Sequence, residues 1–165
     1  MNTGQMLLTL GALILLSTLT LRVNTSQLST QDTMQNTKFG VLAVSVASSV
    51  MEEASEKAFD TNTDGNFVTN LSELTAPNSL GPANGETRDM FNDFDDFNGL
   101  IDTITNMPSA VFNVSCIVDY IDPDLPGLTS SNRTWHKRLI IKVTSPSMAD
   151  SIEMTKIFSY WKFPS

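Results

Sequence analysis

From Met1 to Leu21 no side chain ionises, and Met6 to Leu21 reads MLLTLGALILLSTLTL, an apolar run whose few Ser and Thr can hydrogen-bond back to helix carbonyls. Counted from Thr3 to Val23, this segment would be about 31 Å long as a helix, against a hydrocarbon thickness of roughly 30 Å. Arg22 stands where its stem can carry its charge to the head groups. The pattern predicts a membrane-spanning helix over about residues 6–23. A secretory signal peptide is the rival reading, but no Lys or Arg precedes the run and no A-x-A-like site follows it.

The helical pattern continues past Arg22. The first proline is Pro77, and Leu28, Gln35, Phe39, Leu42, Val46, Val50 and Met51 recur mostly at spacings of three, four and seven, as on one stripe of a helix. Glu52, Glu53, Glu56 and Lys57 then supply a polar end. One helix over residues 5–58 is predicted, on the order of 80 Å long, its first half in lipid and its amphipathic second half against a head at residues 59–165. A break near Thr25-Ser26 or at Gly40 would make it two.

Residues 60–99 are rich in Asp, Asn, Gly, Thr and Ser, which favour turns. Forty residues are too many for a bare loop, so short strands or helical turns are expected at Asn66–Val68 and Asp89–Phe94. After Pro108 the period becomes two. Phe112, Val114, Cys116, Val118 and Tyr120 alternate with Asn113, Ser115, Ile117 and Asp119 up to the Asp122–Gly127 turn. Lys137, Leu139, Ile141 and Val143 then alternate against Arg138, Ile140 and Lys142 within Trp135–Thr144, and Ile152–Trp161 forms a third strand. Three strands in succession predict an antiparallel meander covering the helix stripe, an α+β fold. Trp135, Phe158, Tyr160, Trp161 and Phe163 are expected to pack in the core and on the sheet face.

Charge and chemistry narrow the function. Ten basic against eighteen acidic residues give a net charge of −8, which repels nucleic-acid phosphates. Cys116 is the only cysteine, so an intrachain disulfide, a thiolate zinc cluster and a CxxC pair are all excluded; its place in the strand marks it as a small core residue. His136, beside Lys137 and Arg138, is expected at the surface. With no nucleophile elbow, phosphate loop, HExxH or dinucleotide fingerprint, the sequence advertises no enzyme.

Two acidic stretches are candidate sites. Asp60, Asn62, Asp64 and Asn66 with Gly65 match the first half of a calcium loop, with oxygen ligands at alternate positions and glycine at the sixth. The twelfth position is Leu71 rather than glutamate, so calcium would need a shorter site; a plain turn ending the helix is the alternative. The second stretch gathers Asp93, Asp95 and Asp96 around Phe94 and Phe97, and the repulsion among these acids would be relieved by a cation or basic partner.

An uncharged apolar N-terminus running into an amphipathic half, then a strand-bearing domain, resembles the type IV pilin and pseudopilin family. Gly4-Gln5-Met6-Leu7-Leu8 is similar to the Gly-before-apolar junction cut by prepilin peptidases, which would make residues 1–4 a leader and Gln5 the new N-terminus. The leader here carries no basic side chain, and Thr9 stands where the family has a glutamate that pairs with a neighbour's N-terminal amine. The resemblance implies a structural subunit of a pilus or type II secretion pseudopilus. Its partners would be membrane lipid and other pilin-like subunits, and its head would lie outside a prokaryotic cytoplasmic membrane. The alternatives are a single-span envelope protein whose acidic head binds calcium or a partner without polymerising, and a secreted soluble binding protein freed by signal cleavage.

Overall fold

The structure, a computed structural model, describes residues 2–107 and 109–161; Met1 of the expected leader, Pro108 and Phe163 lie outside them. Helix α1 runs without interruption over Thr3–Ser55, through both positions where a break was considered. The chain divides into two compact units, residues 1–38 and 39–165.

In the first unit every described residue is exposed, including Leu7, Leu8, Ile14 and Leu15. The threonines of the apolar run turn their hydroxyls inward. Thr9, Thr18 and Thr20 donate to the carbonyls of Met6, Leu15 and Leu16 at 2.9, 2.9 and 2.8 Å, which removes unpaired donors from an apolar surface. By length and composition α1 suffices to cross a membrane, a property that signal sequences share.

The second unit holds the end of α1 and a four-stranded antiparallel sheet in chain order: β1 (Ile101–Ile104), β2 (Phe112–Tyr120), β3 (His136–Thr144) and β4 (Ile152–Ser159). The fold is thus α+β, with one strand more than the three predicted. β1 is short, leaves Ile101 exposed and turns Asp102 and Ile104 toward the core side, so it lacks an apolar alternation that could announce it. Asn66–Val68 forms neither strand nor helix, and the Asp89–Phe94 stretch contributes part of a single 3-10 turn, Arg88–Met90.

The helix stripe that meets the sheet is Ala43, Val46, Ala47, Val50 and Ala54, all buried, flanked by half-buried Phe39, Leu42 and Met51. Leu28 and Gln35, counted on the stripe in the sequence, belong to the exposed first unit. Three of the buried stripe residues are alanines, and Phe112, Val114, Cys116 and Val118 of β2 with Leu139, Ile141 and Val143 of β3 complete the layer. Burying each valine contributes about 1.5–3 kcal/mol. Phe91, Phe94 and Phe97 close the core from the connecting region.

Candidate functional site

The inward face of β3 carries Lys137, Leu139, Ile141 and Val143, and the first of these is fully buried like the other three. Register places Lys137 between Tyr120 of β2 and Phe158 of β4. A buried ammonium is tolerable only when all three of its protons find acceptors. Lys137 Nζ donates to Asp60 Oδ2 at 2.8 Å, to Asp95 Oδ1 at 2.5 Å and to the Phe59 carbonyl at 2.8 Å. It also lies 4.6 Å from the Phe59 ring centroid and 5.3 Å from that of Tyr120.

Local structure fixes each acid. Asp60 is the N-cap of the 3-10 turn Thr61–Thr63; its side chain accepts from Asn62 N, and Thr63 Oγ1 accepts from Asp60 N at 2.9 Å. The same carboxylate accepts from the Thr75 amide at 2.9 Å and hydroxyl at 3.1 Å. Tyr120 donates its hydroxyl to the Thr75 carbonyl at 2.8 Å. Asp95 opens the turn Asp95–Phe97, with its amide donating to Asp93 Oδ1 at 2.9 Å. Asp96 Oδ2 accepts from the amides of Asn92 and Asp93 at 2.9 and 3.1 Å.

The two acidic stretches, separate in sequence, therefore form one cluster. An isolated parallel bridge pairs Ala58 with Asp93, Phe94 N donates to the Ala58 carbonyl at 2.8 Å, and Thr61 Oγ1 donates to Asp93 Oδ2. Asp60, Asp93, Asp95 and Asp96 are all buried. The four positions of the calcium-loop motif do not converge: Asp60 faces inward onto Lys137, while Asn62, Asp64 and Asn66 are exposed. Asn62 Nδ2 donates to the Glu73 carbonyl at 2.8 Å, and Asn66 Nδ2 reaches the Asp64 carbonyl at 3.5 Å. Among the described residues, no three His, Cys, Asp or Glu groups are placed to hold a metal ion.

The acids are held differently. Burial pushes the Asp60 carboxyl up, but the Lys137 charge, its hydrogen bond and the Thr75 and Asn62 amides outweigh burial and hold it below the usual range. Burial raises Asp95 to about 8, with Asp93 adding to the rise and Lys137 opposing it. The one cation thus ionises Asp60, and Asp95 keeps its proton near neutrality. Burial, then the Asp60 charge, raises the Tyr120 hydroxyl.

Sequence reasoning did not single out Lys137 as the partner of the acids. Its position on the same side as Leu139, Ile141 and Val143 was the available signal. His136 is half-buried, with Nδ1 2.8 Å from Ser159 Oγ on the neighbouring strand β4. Gly4 and Gln5 are exposed in the first turns of α1. No family model matches the sequence, and no curated protein or solved structure matches it.

Proposed function

We propose that the chain is a membrane-anchored structural subunit of a pilin-like assembly, in which the first part of α1 lies in lipid or among copies of itself and the second unit forms the exposed head. The observation that carries this reading is the contrast within one helix. Its charge-free part buries nothing in its own chain, whereas Ala43, Val46, Ala47, Val50 and Ala54 are buried in the core with the sheet. An apolar helix surface of that length calls for lipid or another helix. Gly11, Ala12, Ser17 and Thr18 would allow close helix approach, and Thr9, bonded within its own turn, buries no charge there. Assembly would therefore not depend on a glutamate at that position.

The test joins cross-linking in the native envelope with N-terminal mass analysis. The expected result is a ladder of oligomers whose subunits begin at Gln5, and Gly11→Phe should weaken the ladder while leaving the protein in the membrane fraction. Monomer alone, with Gln5 never exposed as an N-terminus, overturns the assembly and leaves a single-span anchor. Release of the intact chain by carbonate overturns the anchor as well.

A further inference from the structure

Lys137 Nζ is held between two carboxyl groups in a site closed to water. The Lys137 and Asp60 side chains are 0% exposed and that of Asp95 is 2% exposed. Phe59 and Tyr120 present their rings to the ammonium, and Phe94 and Phe158 pack against each other nearby at 5.0 Å between centroids. The two acids differ in how they are held. Asp60 accepts three further hydrogen bonds, from Asn62 N and from the Thr75 amide and hydroxyl, which fix it as an anion. The Asp95 carboxyl accepts from Lys137 at 2.5 Å through Oδ1, which is bonded directly to Cγ, and shares a side-chain hydrogen bond with Asp93.

We propose that Lys137 and Asp95 condense into an intramolecular amide, Nζ to Cγ, with Asp60 as the proton carrier. Asp60 takes a proton from the ammonium and frees the nitrogen lone pair, which attacks Cγ of Asp95 in its acid form. Asp60 hands that proton to the departing hydroxyl, and as the Cγ–O bond breaks it takes the second nitrogen proton. An ammonium, an acid and a carboxylate become a neutral amide, a water molecule and a neutral Asp60. Atoms and charge balance without an oxidant or any other reactant.

Three physical factors favour the step. Reactants fixed in contact behave as if at roughly 10⁵–10⁸ M, so the usual slowness of amine with acid is offset by position. A buried ion pair carries a desolvation penalty that a neutral amide does not, so the product suits the apolar site better than the reactants. The protonation states also match the roles: burial keeps the Asp95 acid protonated near neutrality, whereas Asp60 is ionised. Asp60 is held low mainly by the Lys137 charge, so it becomes a stronger base as that charge is discharged.

The bond would join β3 to the turn at Asp95, across 42 residues of chain. It concerns the second unit alone and stands or falls independently of how α1 assembles.

The experiment is mass spectrometry of the full-length protein from its membrane fraction, digested with chymotrypsin. Cleavage after Phe94, Phe97 and Trp135 should yield Asp95-Asp96-Phe97 joined to a fragment beginning at His136, lighter by one water than the two together. Locating the loss this way separates it from dehydration at Asp64-Gly65. Asp95→Ala and Lys137→Arg should both return the full mass, and Asp60→Asn should leave Asp95 and Lys137 in separate fragments. Wild-type fragments recovered apart at full mass overturn the proposal without recourse to any variant. A cross-link that survives in Asp60→Asn overturns the role given to Asp60.

Discussion

Arg88 grips Glu53 with two parallel bonds, Nε to Oε1 at 3.2 Å and Nη2 to Oε2 at 2.5 Å, while its Nη1 donates to Asp102. One guanidinium from the 3-10 turn Arg88–Met90 thereby ties the last turns of α1 to the edge strand β1. Its pKa is raised above the ordinary value, first by the Glu53 hydrogen bond, with burial opposing. Asp102 occupies an inward position that an apolar residue would otherwise fill, and this arginine is the reason it can.

Arg88→Lys keeps the charge but loses the planar fork. The pair is about one-third exposed, so solvent screens much of it, and the substitution should lower stability by about 1 kcal/mol. Thermal unfolding of the wild type and variant checks this, with a downward shift of a few degrees expected. An unchanged midpoint would mean that Glu53 and Asp102 need no shared partner.

Ala47 is fully buried where α1 meets the sheet. Ala47→Leu would insert volume into a layer already filled by β2 and β3, and should destabilise by about 1–3 kcal/mol. Urea unfolding would show a lower midpoint with an unaltered slope. Ala58, half-buried beyond the helix end, makes a control in which added volume meets less resistance.

Cys116 is buried within β2, and burial pushes its thiol up to about 12, with the Arg88 charge opposing and Glu53 adding to the rise. Thiolate is the reactive form, so iodoacetamide at about pH 8 should leave the folded protein unmodified and label it only in denaturant. At pH ~9 the folded chain should still label far more slowly than an ordinary thiol, which is largely thiolate there. Rapid labelling without denaturant would place this strand at the surface.

Asp96 gives a pH dependence with a definite sign. Burial raises its carboxyl above 3.8, the Asp93 and Asn92 amides oppose, and the charges of Asp93 and Glu86 add to the rise. The native state thus binds this proton more tightly than the unfolded chain, so Asp96 contributes a loss of stability as pH rises above the ordinary carboxylate value. Asp96→Asn keeps an oxygen for both amides and removes that loss. Its melting temperature should equal or exceed that of wild type near neutrality, and the difference should shrink on acidification; a variant that is less stable near pH ~7 contradicts the assignment.

The elements that could be read from the sequence are those whose pattern is local. Alternation at Phe112–Tyr120 coincides with β2, and β3 and β4 lie within the Trp135–Thr144 and Ile152–Trp161 segments read as strands. The continuous helix follows from the late first proline and the lack of turn residues. The stripe was misplaced toward Leu28 and Gln35 because alanine is a weak hydrophobic signal, although Ala43, Ala47 and Ala54 are fully buried on it. The site was half visible. Its acids stand out as clusters, but their partner is 77 residues from Asp60 and 42 from Asp95, and no periodicity reports a pairing over such spans. Lys137 was read in the row it shares with Leu139, Ile141 and Val143, but nothing local in the sequence told which groups would meet its charge there.

The strict β1-β2-β3-β4 order has a kinetic meaning. Each strand finds its partner across a short stretch of chain, so the meander has little loop-closure entropy to overcome and can form early. The acids that surround Lys137 arrive from much farther away, and until residues 59–99 fold down over the sheet its ammonium remains in water. Contact order therefore predicts that the charge centre is the last part of the head to assemble.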